Sequence, residues 1–148
     1  MPTKLHISKN IEFFSVSTET GLEIPIIEGG ISAGFPSPAD DFLDKSIDLN
    51  KAYIKHKDAT FFGRVRGNSM IDAGLNDGDL MIIDKSLEPQ NNKIAVCFID
   101  GEFTVKRIKV EADIIWLVAE NKDYKPIMVT KDNDFLIWGI VTTVIKSV

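Results

Sequence analysis

Short apolar runs, broken by glycine, proline, aspartate and asparagine, make up the second half of the chain. Residues 60–66 are β-rich and run straight into Gly67-Asn68-Ser69, which reads as a turn. Gly74-Leu75-Asn76-Asp77-Gly78-Asp79 is a strong turn cluster, and the apolar run 80–83 follows it. A loop containing Pro89 spans 87–92. Residues 95–99 and 102–106 flank Asp100-Gly101, the best short-range signal for a hairpin. Runs 114–118 and 137–145 supply further strands. The pattern predicts a mostly-β domain over about residues 35–148, with little helix.

Upstream the pattern weakens. Residues 11–16 fit a short strand, and Leu22, Ile24 and Ile26 alternate with Glu23 and Pro25 ahead of Glu28-Gly29-Gly30. Alternation beside a proline suits an edge strand able to dock and undock. Residues 1–33 therefore read as a flexible N-terminal arm, and residues 34–148 as the domain behind it. Ser37-Pro38 followed by Asp40-Asp41 is a helix-start signature, with Phe42 and Leu43 facing the core and Leu49 and Tyr53 on a second short helical turn. His56, between Lys55 and Lys57, reads as part of a solvated basic turn.

Composition narrows the function. At 148 residues, 44% apolar and 26% charged, the chain suits one domain with a hydrophobic core. Its net charge is −5, its arginines are Arg64, Arg66 and Arg107, and residues 1–33 hold two lysines against four glutamates. That balance argues against gripping DNA through bulk electrostatics, and the arm is too short and acidic for a helix-turn-helix head. The single cysteine, Cys97, excludes an internal disulfide and fits a reducing compartment. No run of eighteen apolar residues or signal-peptide core is present, so a cytoplasmic protein without a membrane span is expected.

Two residues then stand out as chemistry. A two-residue turn at Asp100-Gly101 pairs Ile99 with Glu102, Cys97 with Thr104 and Ala95 with Lys106. Lys106 would share its face with Thr104, Ile108, Ala95 and Cys97, a mostly small or apolar neighbourhood. Desolvation there would lower a lysine pKa from ~10.4 toward the ~7–8 useful to a general base. Taken alone, Lys106 reads first as an alternating strand lysine directed to water, and by itself it decides nothing. Ser69, between Gly67 and a turn cluster, fits either a hydroxyl presented beside free backbone N–H groups or a serine capping the following turn. Upstream, Ile31-Ser32-Ala33-Gly34-Phe35-Pro36 has the small residues and breaks of a segment open to cutting. Other candidates are weaker. Cys97 has only His6 and His56 as possible bases and reads as a buried strand cysteine. Asp72, Asp77, Asp79 and Asp84 do not space as a calcium loop and read as turn residues. No zinc pattern or phosphate loop is present, and no cofactor is expected.

Gly67-Asn68-Ser69-Met70, the 74–79 cluster, Gly101-Glu102-Phe103-Thr104-Val105-Lys106-Arg107 and residues 120–127 occur in order, and together they resemble the LexA/UmuD family of self-cleaving serine peptidases. Residues 33–41 resemble the cleavage region of its UmuD branch in particular. The resemblance implies a LexA/UmuD-like peptidase domain of twisted antiparallel sheets, with Ser69 as nucleophile, Lys106 as general base and Ala33-Gly34 as the scissile bond. Asn68 and Met70 would support the oxyanion and the loop. Asn68 stands where the family more often has aspartate, and Ala33 where some relatives have cysteine.

The same resemblance implies an SOS-response protein that cleaves itself when engaged by a RecA–single-stranded-DNA filament. The trimmed homodimer would then join a UmuC-like catalytic subunit as part of an error-prone translesion DNA polymerase. No direct sequence-specific DNA binding is expected. Two alternatives remain at this level: a LexA-type transcriptional repressor lacking its own DNA-binding head, and a non-catalytic interaction module with the same fold. A membrane signal peptidase shares the Ser–Lys chemistry but needs an anchor that the pattern lacks.

Overall fold

A computed structural model describes residues 4–7, 11–18, 21, 23–26 and 45–148. The chain forms two compact units, one of residues 1–16 and 56–148 and one of residues 17–55. In the larger unit, strands β1 (Lys4–Ile7) and β2 (Ile11–Ser15) open a nine-stranded antiparallel sheet. In the smaller, β3 (Glu23–Ile26) pairs with β4 (Lys45–Asp48), and α1 (Leu49–Tyr53) follows, its first turn capped by the Asp48 carboxylate accepting from the Asn50 N–H at 2.9 Å. The expected helical turn at Leu49 and Tyr53 is α1. The helix start at Ser37 and the Ala33-Gly34 bond lie outside the described residues.

The large sheet continues with β5 (Thr60–Val65), β6 (Leu80–Asp84), β7 (Ile94–Ile99), β8 (Glu102–Glu111), β9 (Ile114–Val118), β10 (Ile127–Met128) and β11 (Phe135–Ile145), in the spatial order β1-β2-β5-β6-β11-β7-β8-β9-β10. Asp100 and Gly101 both take positive φ (48° and 89°), the geometry whose twist matches two antiparallel strands. The register that follows is the expected one: Ala95 faces Lys106, Cys97 faces Thr104 and Ile99 faces Glu102. The long β11, aromatic and β-branched, sits centrally between β6 and β7. Among the described residues no helix is long and apolar enough to cross a membrane.

Alternation along the strands divides the core in two. Val65, Met81, Ile83, Val96 and Val105 point into one cluster with Met70 and Leu75, while Ala95, Cys97, Ile108, Leu117 and Ile140 form the other. The first cluster draws residues from β2, β5, β6, β7 and β8, so the sheet curls around it. Of the segment expected as an arm, β2 carries Ile11 and Phe13 into this core, at 0% and 3% exposure. Phe13 packs edge-on to Phe103 at 4.9 Å and against Trp138 at 4.8 Å between ring centroids.

Gly63 makes that close approach possible. A Cβ there would lie 2.8 Å from Ile83 Cδ1 and 3.2 Å from both Ile11 Cγ2 and Met81 Cε. Gly63→Val is expected to lower stability by about 1–3 kcal/mol, read as a lower urea midpoint at unchanged slope.

Candidate active site

The site begins where β5 ends. Gly67 takes φ 86°, and its N–H donates to Asp77 Oδ1 at 2.7 Å, which ties the serine loop to the turn before β6. A 3-10 turn over Ile71–Ala73 follows, closed by Gly74 in the left-handed region. Met70 and Leu75 are each 2% exposed and anchor the loop in the core, while Asn68 is exposed and Ser69 half-buried between them. Among the described residues, the backbone N–H groups of Ser69 and Met70 have no acceptor.

Lys106 arrives from β8. It is 7% exposed, and Nζ donates to Thr104 Oγ1 at 2.7 Å, to the Val105 carbonyl at 3.1 Å and to Ser69 Oγ at 3.2 Å. No carboxylate among the described residues pairs with it. Burial pushes its pKa below the ordinary lysine value, with Cys97 opposing weakly. Burial also pushes the Cys97 thiol up to about 12, so it is neutral at physiological pH and supplies no counter-charge. The strand lysine is thus not directed to water, and Cys97 is the buried strand cysteine that its pattern suggested.

Ser69 and Lys106 leave strands that three others separate in the sheet. In a flat sheet four strand spacings would hold those strands about 19 Å apart. The curl of the sheet and the inward reach of the loop bring the side chains together.

Residues 120–124 hold this arrangement. Tyr124 OH donates to Asn68 Oδ1 at 2.8 Å, and Asn121 Nδ2 donates to the Asn68 carbonyl at 2.9 Å. The Asp72 N–H donates to the Glu120 carbonyl at 2.8 Å, and the Glu120 N–H reaches Met70 Sδ at 3.4 Å. The Glu120 carboxylate is also ion-paired to Arg107, the residue after Lys106. One short segment therefore touches the serine loop and the lysine strand together. A cavity of about 150 Å³ opens over Ser69, walled by Arg66, Gly67, Asn68, Thr104, Lys106 and Tyr124. Only the linear resemblance pointed to residues 120–127; no periodicity marks Tyr124 or Asn121 as neighbours of Ser69.

Two other readings change. His56 is not simply a solvated turn residue, since its Nδ1 lies 2.6 Å from Asp84 Oδ2. Asp84 is 4% exposed, so its role is a buried anchor as well as a turn. Burial alone would raise its carboxyl, but hydrogen bonds from Ser86 and His56 outweigh that and hold it below the usual range. Asp79 is likewise buried and is held low by Lys146 and the Asn76 N–H. Among the described residues no group of three side chains is placed to hold a metal.

Residues 25–142 match the family model described as Peptidase S24-like. The chain is 40% identical over 120 residues to Protein MucA of Salmonella typhimurium, covering 80% of this chain and 82% of that one. It is 38% identical over 122 residues to Protein ImpA of Escherichia coli, covering 82% of each. It is also 40% identical over 124 residues to the LexA repressor of Pseudomonas chlororaphis, covering 83% of this chain and 60% of the repressor.

The buried amine has a thermodynamic signature. Because the folded pKa of Lys106 lies below the unfolded ~10.4, folding there is penalised at low pH and the penalty fades as pH rises toward ~10.4. In a Ser69→Ala background, Lys106→Met is expected to be the more stable protein at neutral pH. The difference should shrink steadily on raising the pH, as followed by urea midpoints across the range.

Proposed function

The chain belongs to the Peptidase S24-like (LexA/UmuD) family of serine peptidases, and on that premise we propose that it cleaves its own Ala33-Gly34 bond with Ser69 and Lys106. The observation that carries this reading is the 3.2 Å separation of Ser69 Oγ from a buried lysine amine that has no carboxylate partner among the described residues. A neutral amine has two N–H groups and one lone pair. With the N–H groups donated to Thr104 Oγ1 and the Val105 carbonyl, the lone pair is left for the Ser69 O–H.

In that state Lys106 takes the Ser69 proton as Oγ attacks the Ala33 carbonyl carbon. The negative charge that builds on the carbonyl oxygen needs donors, and the unused N–H groups of Ser69 and Met70 are the available ones. The Lys106 ammonium then protonates the departing Gly34 amine, leaving an Ala33 ester on Ser69. Lys106, neutral again, deprotonates the water that hydrolyses the ester and frees Ser69. Asn68, clamped by Tyr124 and Asn121, and Met70, seated in the core, fix the loop that carries the nucleophile. A side chain as small as alanine suits a narrow cavity, and a glycine after it leaves a substrate backbone free to bend.

The likeness to MucA and ImpA supports the UmuD-like reading of what the cut is for. Engagement by a RecA–single-stranded-DNA filament stimulates the cut in the cytoplasm. The homodimer of the 34–148 piece then serves as the accessory subunit of a UmuC-like translesion polymerase in the SOS response. The net charge of −5 suits a protein-binding subunit more than a DNA reader.

Purified protein incubated across a pH series should be cut to a 33-residue piece, identified by mass after denaturation. The rate should rise about tenfold per pH unit while Lys106 is mostly charged, then level off below the pH at which ordinary lysines titrate. Ser69→Ala and Lys106→Ala should each abolish the cut. A wild-type chain that stays intact at about pH 9–10, and also with an activated filament, overturns the reading.

A further inference from the structure

The proposed cut severs the chain between residues 33 and 34, and among the described residues the contacts that hold residues 11–15 are with β1, β5, Arg66, Phe103 and Trp138. β2 is hydrogen-bonded to β5 in an unbroken register from Ile11–Val65 to Ser15–Phe61, and β1 pairs on its other side. Ile11 fills the notch over Gly63, and Phe13 packs against both Phe103 and Trp138, which also touch each other. Between them Glu12, itself 8% exposed, is ion-paired to Arg66 at the start of the serine loop. These are the contacts of a core strand. Yet β2 precedes residues 25–142, the part that matches the family model.

We infer that the edge of β5 is a strand-binding site whose ligand is this chain's own residues 11–15, and that it keeps the 1–33 piece bound non-covalently after the cut. The location of the cut rests on the reading above; the strand site itself does not. The site selects an extended segment with apolar side chains two residues apart, which enter the groove, and an acid between them facing Arg66. β-strand addition supplies the backbone bonds, and the Gly63 notch supplies the shape. Before the cut, occupancy is intramolecular, at an effective concentration set by the covalent connection. After it, occupancy depends on protein concentration and on competition from other extended segments. Cleavage and loss of the N-terminal strand are then separate events, and the β5 edge and the faces of Phe103 and Trp138 that Phe13 covers are exposed only at the second.

The test makes the cut without the proposed active site. In full-length Ser69→Ala protein, a recognition sequence for an unrelated protease is inserted after Ala33 and cleaved, and the product is passed over a sizing column at micromolar concentration. The 1–33 piece should travel with the 34–148 piece, and the β2 and β5 amides should stay as protected from hydrogen exchange as before the cut. Because β3–β4 pairing also joins the two pieces, competition is read at the strand itself: a synthetic peptide of residues 4–16 in excess should displace β2 of the 1–33 piece, seen as loss of its exchange protection, whereas the same peptide carrying Ile11→Asp and Phe13→Asp should not. Dilution well below the exchange midpoint should release the piece. Separation of the two pieces on the column, with the 34–148 piece still folded by its exchange pattern, overturns the proposal. So does equal displacement by both peptides. Because Ser69 is absent, none of these outcomes depends on whether the chain cuts itself.

Discussion

One amine held out of water is the constraint on which the site depends. Lys106 emerges on a sheet face whose neighbours are Ala95, Cys97 and Ile108, with only Thr104, a backbone carbonyl and Ser69 to receive its hydrogen bonds. A lysine in such a place is costly to keep charged, and among the described residues no acid pairs with it to compensate. Proteins keep such groups where chemistry uses them, and a half-buried serine 3.2 Å away is the group able to use this one. Cys97 sharpens the point: it is neutral, so the lysine's environment stays uncharged.

The rest of the molecule can be understood as holding that pair. The serine loop is pinned from below by Met70 and Leu75, from the side by Asp77 and from above by Asn121 and Tyr124. The same segment that supplies Tyr124 also carries Glu120, which binds Arg107 beside the lysine. Since the two strands are not neighbours in the sheet, the curl around the first core cluster is what brings the loop over Lys106. β2 belongs to that support, because Ile11 and Phe13 complete the cluster on the far side of Gly63.

Local chemistry was legible in the residues. Asp100-Gly101 announced a two-residue turn, and its register placed Lys106 opposite Ala95 on an apolar face. The strand runs and the turn cluster at 74–79 were readable for the same reason, since each depends on neighbours within a few positions. The approach of Ser69 to Lys106 was not readable from pattern, because it depends on the order of strands across a curled sheet; only the resemblance to a known family joined them. Tyr124 and Asn121 had no local signal at all, and neither did the pairing of His56 with Asp84. The short run at 11–16 was visible as a strand, but its burial is set by Gly63, Phe103 and Trp138, far off in sequence.

The central claim is that the fold alone makes Lys106 a base, and it can be measured without any cleavage. With lysine side chains labelled in Ser69→Ala protein, the Nζ and Cε resonances of each lysine can be followed by NMR through a pH titration, with Lys106 assigned by its loss in Lys106→Met. Burial predicts that Lys106 titrates below the other lysines. A Lys106 that titrates together with the surface lysines would contradict it.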